Sequence, residues 1–556
     1  MNPVSTTVAE VVAATLSARG VRQVFGVVGS GNFHLTNALI AGGARYVAAR
    51  HEMGATVMAD AYARMFDAVG VVSLHQGCGL TNALTGLAEA AKSRTPLLVL
   101  AAEVTDPTSN FYVDQPALAR AVGAESIRID DPARAAGQAT AAYDLAARER
   151  RTVLVNLPLE IQSQVVPADA VDAVAEMDAV LLPPASASSD RDAVAALVQV
   201  LGGAQRPVFI AGRGARHART EIEGAADVYG ALLATSAVAK GLFSGSPWSL
   251  DVSGGFATPL AADIILDADV IVGFGCALNM WTMRHGRLIG PDATVAQVDI
   301  DPSALGRHRD IDLGVVGDSA EIACAVTDLA AAAQPGYRRD EIAKRIASQG
   351  RWRDVAYEDW AGGIGNGARV DPRTLTIVLD DLLPTERIVS VDSGNFMGYP
   401  SMFLSVPDEY GFCFTQAFQS IGLGLASAIG AALARPDRLA VAALGDGGAL
   451  MGIAELDTVR RLGLPMVVVV YNDAAYGAEV HHFNAGEPLE TVTFPDTDLA
   501  AIARGYGFDA LTVRTVDDLA EVGNWLNGSR ARPLLIDAKV AGPRGAWWLE
   551  EAFRGH

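Results

Sequence analysis

The sequence predicts an α/β protein built of three doubly wound parallel-sheet domains. Three observations carry that prediction. Short continuous apolar runs such as Thr95–Ala102, Pro207–Ala211 and Met466–Tyr471 recur along the chain, and runs of that length read as strands buried on both faces. Between such runs lie segments with apolar residues at helical spacing, such as Ile453–Leu464, which Pro465 terminates. Two polar stretches then divide the alternation into blocks. Pro167–Asp190, with its Pro-Pro and Ser-rich run, reads as a linker, and residues 334–366 read as a partly helical connecting arm. The blocks are 1–165, 191–335 and 367–545, followed by a tail at 546–556, and a chain of 556 residues has ample length for them.

Taken in order, Val8–Leu16 reads as an ordinary amphipathic helix, because Glu10 interrupts what would otherwise resemble the apolar core of a signal peptide. Val24–Ser30 is a strand entering a turn. Tyr46–Arg64 is a short strand running into an Ala-rich helix with Glu52 at its start, where an acid complements the helix dipole. Val71–Gly79 is a strand and loop containing His75, and Thr95–Ala102 is the next strand. In the second block, Pro207–Gly214 and Val295–Pro302 contain strands.

The third block holds the most informative stretch. Arg438–Leu444 reads as a buried strand, and Gly445-Asp446-Gly447 as a tight turn where backbone can approach a ligand closely. After the helix and Pro465 comes a second buried strand, ending at Asn472-Asp473. Asp446 and Asp473 therefore leave the carboxyl ends of neighbouring parallel strands, where open α/β sheets bind ligands. Their oxygens can converge on one hard cation such as Mg²⁺, and a diphosphate can complete its coordination.

These residues resemble the diphosphate-binding motif of thiamine-diphosphate (ThDP) enzymes, Gly-Asp-Gly followed by Asn-Asn. Gly445, Asp446, Gly447, Gly448, Asn472 and Asp473 match it, with Asp473 in place of the second Asn. The resemblance implies Mg²⁺ ligands at Asp446, Asp473 and the Ala475 carbonyl. Arg50-His-Glu52 and Ala61-Tyr-Ala-Arg64 resemble the activating segment of the acetolactate synthase, benzoylformate decarboxylase and pyruvate oxidase group. In that group the Glu hydrogen-bonds N1′ of the aminopyrimidine and promotes loss of the thiazolium C2 proton. The segment around Gly422–Gly430 resembles the one that bends the cofactor, with Ile421 as the apolar prop and a carbonyl near Gln419 as the N4′ acceptor. The resemblance covers nearly the whole chain. It names the blocks pyrimidine-binding, central and diphosphate-binding, and implies a homodimer or homotetramer with active sites between subunits. Relatives bind FAD or ADP in the central block, where this chain has no FAD fingerprint.

The same resemblance points to substrate-side residues. His75 matches a proton-shuttling His of benzoylformate decarboxylase, whereas acetolactate synthases carry Thr-Ser-Gly-Pro-Gly in that loop. Ser30 matches a carboxylate-contacting Ser, with helix N-cap as its other reading. Asn32 and His34 follow it. Glu479 falls where pyruvate decarboxylases place an active-site Glu, and His482 lies close by, although adjacent His481 and His482 cannot both face one site. Gln115 matches a Gln near the acyl-donor pocket of acetolactate synthases, and His285 falls in a region from which the decarboxylase branch projects a His, with a plain surface His as its other reading.

The net charge of −21 argues against nucleic-acid and anionic-membrane partners. No uncharged apolar run approaches a membrane span. Cys78, Cys276, Cys324 and Cys413 show neither metal nor disulfide spacing, which fits a reducing cytoplasm. The expected function is a ThDP- and Mg²⁺-dependent enzyme, acetolactate synthase-like, that makes or breaks the bond next to a carbonyl of a 2-oxo acid or 2-hydroxy ketone. The His75 loop keeps open a benzoylformate decarboxylase-like or 2-hydroxyacyl lyase activity on a non-pyruvate substrate. A non-catalytic homologue is the remaining alternative, against which Glu52, Asp446 and Asn472 argue.

Overall fold

A computed structural model describes residues 6–167, 190–363, 365–483 and 486–552. The linker expected at 167–190, apart from its two end residues, and Phe553 of the tail lie outside the described residues. Each block is a six-stranded sheet, and every named strand pair is parallel. In the first sheet the spatial order is Arg45–Ala48, Gln23–Gly26, Gly70–Leu74, Leu97–Glu103, Thr152–Pro158 and Glu125–Arg128. In the third it is Phe412–Phe414, Arg387–Val391, Leu439–Gly445, Met466–Asn472, Leu534–Lys539 and Asp509–Val513. Numbered along the chain, both run 2-1-3-4-6-5, so the two outer blocks share one topology. The central sheet runs Leu313–Val316, Thr294–Asp299, Val270–Phe274, Pro207–Ala211, Leu232–Thr235 and Ser249–Val252. That is 3-2-1-4-5-6 read from its other edge, the order of dinucleotide-binding folds.

The continuous apolar runs behave as expected of strands covered on both faces. Gly70–Leu74, Leu97–Glu103, Thr152–Pro158 and Met466–Asn472 are buried at every position. The outer domains join through small residues. The helix Glu52–Phe66 packs along the helix Gly424–Ala434, and each follows the second strand of its own sheet. A Cβ on Gly430 would lie 2.2 Å from the Met58 carbonyl oxygen, so this approach requires glycine. Met58, Ala61, Ile429 and Leu444 therefore share one core across the domain boundary.

The Gly445–Gly447 segment is not the tight turn expected from sequence. Gly445 is extended (φ −84°, ψ 160°), and a helix starts directly at Asp446. The glycines serve close packing instead: a Cβ on Gly447 would meet the Tyr476 ring at 2.5 Å, and one on Gly448 would meet Asp392 Oδ2 at 2.3 Å. The C-terminal helix Trp547–Ala552 is docked rather than free. The Ala546 N–H donates to Asn395 Oδ1 at 2.8 Å, and the Trp548 indole N–H donates to the Asn395 carbonyl at 2.9 Å. Among the described residues no helix is long and apolar enough to cross a membrane.

Candidate active site

Strand order in the first sheet reverses between Gln23–Gly26 and Gly70–Leu74. The loops leaving those two carboxyl ends carry Ser30 and His75. The His75 ring is half-buried against Gly29, where a Cβ would sit 2.6 Å from it, and its edge meets Phe111 at 5.7 Å between centroids. His75 Nδ1 accepts from the Gly31 N–H at 3.3 Å. In the neutral ring the proton therefore resides on Nε2. Burial lowers the His75 pKa from 6.5, outweighing the opposing charge of Glu52, so the ring is neutral at pH 7.

Glu52 is the first residue of its helix, after the N-cap His51, whose ring accepts from the Met53 N–H at 3.1 Å. Its Oε2 accepts from Asn82 Nδ2 at 3.0 Å. A Cβ on Gly79 would lie 3.1 Å from the His75 Cβ and 3.7 Å from Glu52 Oε1, so His75 and Glu52 border the same loop.

Other candidates divide between the surface and the framework. Asn32 is buried and builds its loop: Oδ1 accepts from Gly29 N–H at 2.8 Å, and Nδ2 donates to Val27 O at 3.2 Å and Ser73 Oγ at 3.1 Å. Asn32 is also the N-cap of the following helix, the place considered for Ser30, which is exposed. His34 is exposed against Phe33. Gln115 is 1% exposed and donates to Asn156 inside the first domain, which takes it away from an open pocket. His285 is an exposed residue of the central domain, edge-on to Trp281.

In the third sheet the reversal falls between Arg387–Val391 and Leu439–Gly445. Asp392 follows the first of these strands and Asp446 the second. Asp446 and Asp473 lie close enough for each carboxyl to shift the proton affinity of the other. Burial pushes Asp446 from 3.8 up to about 6. Burial, and then the Asp446 charge, push Asp473 up to about 7. Asn472 holds the loop rather than facing outward: Nδ2 donates to Asp537 at 2.9 Å, and Oδ1 accepts from the Ala474 N–H at 3.2 Å. The Ala475 N–H donates to Asp473 at 3.2 Å.

Asp473, Ala475, His481, Phe494 and Arg369 line a cavity of about 350 Å³. The short helix Gly477–His482 turns His481 toward this cavity, while Glu479 and His482 are exposed. Gln419 is exposed with a left-handed φ of 60°, and Ile421 is half-buried beside it.

Sequence reasoning missed Asp392. It is fully buried and accepts from the amides of Ser393, Gly422 and Leu423 at 2.8, 3.0 and 3.2 Å, and burial raises its pKa to about 6. It therefore fixes the start of the Gly422–Gly430 segment against Gly448. An acid directly after the apolar strand Ile388-Val-Ser-Val391 was the available signal.

The facing acids fit a divalent cation by chemistry, since Asp446 is buried, Asp473 is half-buried, and the two oxygen donors repel when ionised. Among the described residues no group of three or more His, Cys, Asp or Glu side chains is placed to hold a metal ion. The chain thus offers two carboxylates, and further ligands must be backbone carbonyls, water or a bound phosphate.

The pair has a testable cost in the free protein. Its folded pKa values exceed the ordinary 3.8, so its stability contribution is complete below pH 3.8 and lost as pH rises through 6–7. Asp473→Asn should therefore stabilise the cofactor-free protein by about 1–3 kcal/mol at pH 8 and by little below pH 4. Denaturant melts at both pH values test this, and an equal effect at both would remove the facing-acid account.

Three family models match the chain in order. Thiamine pyrophosphate enzyme, N-terminal TPP binding domain, matches residues 6–121; the central domain matches 194–326; and the C-terminal TPP binding domain matches 392–538. A probable acetolactate synthase large subunit of Methanocaldococcus jannaschii is 25% identical over 92% of this chain and 88% of its own length. A sulfoacetaldehyde acetyltransferase of Alcaligenes xylosoxydans is 27% identical over 92% and 89%. The acetolactate synthase isozyme 3 large subunit of Escherichia coli is 27% identical over 84% and 82%. With three parallel sheets under three successive domain matches, the chain belongs to the thiamine-diphosphate-dependent enzymes, in the group that contains the acetolactate synthases.

Proposed function

We propose that this enzyme uses ThDP and Mg²⁺ to make or break the carbon–carbon bond next to the carbonyl of a 2-oxo acid or 2-hydroxy ketone. The observation that carries the reading is the distribution of chemistry over the two matching sheets. Glu52 and His75 leave the carboxyl ends of the first, and Asp446, Asp473 and the Gln419 loop leave those of the third. Asp446, Asp473 and the Ala475 carbonyl would hold Mg²⁺, together with oxygens of the cofactor diphosphate. When bound, ThDP supplies a carbon nucleophile and an electron sink.

The chain's own residues supply activation and proton movement. Glu52 accepts a hydrogen bond from the cofactor pyrimidine. His75, neutral with its proton on Nε2, donates that proton to a substrate oxygen or carbon and takes one back. We read the site as lying between two copies of the chain. Phe33, Phe111, Phe418, Leu450 and Met451 are 51%, 40%, 45%, 41% and 53% exposed near these loops, an apolar surface that a second copy would cover.

The fixed His75 tautomer favours a decarboxylase or 2-hydroxyacyl lyase over acetolactate formation, because it poises a proton donor at neutral pH. His75→Ala should slow the proton-transfer steps by about 10²–10⁴-fold while leaving exchange of the cofactor C2 proton near wild type. Both proteins should be assayed on pyruvate, branched and aromatic 2-oxo acids, 2-hydroxy ketones and sulfoacetaldehyde. Efficient acetolactate formation by wild type and His75→Ala alike would return the reading to an acetolactate synthase. ThDP binding with no turnover across the panel would revive the non-catalytic reading.

A further inference from the structure

The first domain reaches into the third sheet through buried charges that the chemistry above does not use. Arg64, near the end of the Glu52–Phe66 helix, is 5% exposed, and Asp60 and Glu89 are fully buried. The Arg64 guanidinium lies 2.7 Å from Asp60 and 2.8 Å from Glu89, and donates to the Phe414 carbonyl at 3.0 Å. Glu89 reaches across the domain boundary: Oε1 accepts from the Ala417 N–H at 3.0 Å, and Oε2 from the Phe418 N–H at 2.6 Å. These amides lead straight into Gln419, with its left-handed φ of 60°, and on to Ile421. A non-glycine residue keeps that conformation only where its surroundings over-determine it.

We propose that Glu89 is a positioning residue for the Ala417–Ile421 loop: its carboxylate takes two successive amides and, through Arg64, ties the loop to the helix that begins with Glu52. The inference rests on the reading of Gln419 and Ile421 as cofactor contacts. Packing alone does not demand charges here, since well-packed apolar side chains can replace a buried ion cluster without loss of stability. What the carboxylate adds is direction. Its two oxygens fix the planes of two consecutive peptides immediately before the left-handed residue. Arg64 in turn fixes the carboxylate, whereas Asp60, held by the same guanidinium, takes neither the Ala417 nor the Phe418 amide, both of which go to Glu89.

Glu89→Gln tests the proposal, because glutamine has one carbonyl oxygen for two amides and no charge for Arg64. Calorimetric titration of the purified variant with ThDP in the presence of Mg²⁺ should show binding weaker by roughly 10–100-fold, the factor expected of one unsatisfied buried donor. Amide exchange of the peptide spanning 415–421 should accelerate by a similar factor in the cofactor-free protein. Asp60→Asn disturbs the same buried charges without touching the loop amides, so it should lower the melting temperature yet keep ThDP affinity within about threefold. Equal loss of affinity in the two variants would reduce the cluster to a structural role and overturn the proposal, as would wild-type affinity and exchange in Glu89→Gln. Exchange in the cofactor-free protein keeps the two readings apart. A wild type that binds no ThDP defeats the functional reading, whereas the exchange contrast still decides whether Glu89 holds the loop. If Glu89→Gln does not fold, unprotected exchange at Ala417 and Phe418 in wild type overturns the proposal by itself.

Discussion

Glu52→Gln should bind ThDP within a few-fold of wild type and lose catalysis by more than the roughly 10²–10⁴-fold worth of a positioned acid–base. The size of the effect follows from where Glu52 sits. As the first helical residue it has one strong side-chain partner, Asn82 at 3.0 Å, which a glutamine carbonyl also satisfies. The helix start, the His51 cap and the packing of Glu52–Phe66 on Gly424–Ala434 are all retained. What disappears is the carboxylate that, on the proposed reading, accepts from the cofactor pyrimidine. NMR exchange of the cofactor C2 proton isolates that step from substrate chemistry. Exchange at the wild-type rate would remove Glu52 from activation and leave it a helix-start acid. The same carboxylate raises the His75 pKa against burial. In Glu52→Gln the His75 pKa should therefore fall further, so a second effect runs in a known direction.

The parts of this site that were legible in the sequence are those set by local rules. Strands buried on both faces must be continuous apolar runs, so Met466–Asn472 and Leu97–Glu103 could be placed to within a residue or two, and with them the loops at their carboxyl ends. Glu52 and Asp446 were visible because each begins a helix directly after a strand or its short loop. Partners across the fold were not visible. Asn472 looks free to bind a ligand until Asp537, 65 positions away, takes its amide, and Gln115 looks free until Asn156 does. Asp392 looks like any acid after a strand until Gly422 and Leu423, 30 and 31 positions on, donate to it. The choice between His481 and His482 depends on the phase of a six-residue helix, which neighbouring residues in the sequence do not fix. Gly445–Gly447 reads in the sequence as a tight turn open to a ligand, whereas a helix starts at Asp446 and the close neighbours of Gly447 and Gly448 are Tyr476 and Asp392.

The matching order of the outer sheets gives these placements a common cause. The second strand of the first sheet leads to Glu52, and the second strand of the third leads to Gln419 and Ile421. The third strand of the first sheet leads to His75, and that of the third leads to Asp446. On the proposed reading, one topology used twice presents proton-moving groups from the first sheet and cation- and phosphate-holding groups from the third. A cofactor with a pyrimidine at one end and a diphosphate at the other has the polarity to span such a pair.

Asp446→Ala should abolish Mg²⁺-dependent ThDP binding while leaving the protein folded. A cation that loses a direct oxygen ligand should lose more than the roughly 10–100-fold that outer-shell changes cost. The fold should tolerate the change unusually well for a buried polar residue. Burial raises the Asp446 pKa to about 6 and, together with the charge of Asp446, that of Asp473 to about 7, so the pair weakens the free protein as pH rises. Removing one acid relieves that repulsion, and Asp446→Ala should melt no lower than wild type at pH 8 in the absence of cofactor. The two readouts together separate a metal ligand from a structural acid. Calorimetry with ThDP and Mg²⁺ should show no binding at micromolar concentrations, and the melt should show an intact protein. Unchanged affinity would place the metal elsewhere. Lost affinity with a collapsed melting temperature would make Asp446 a framework residue, like Asp392 beside it.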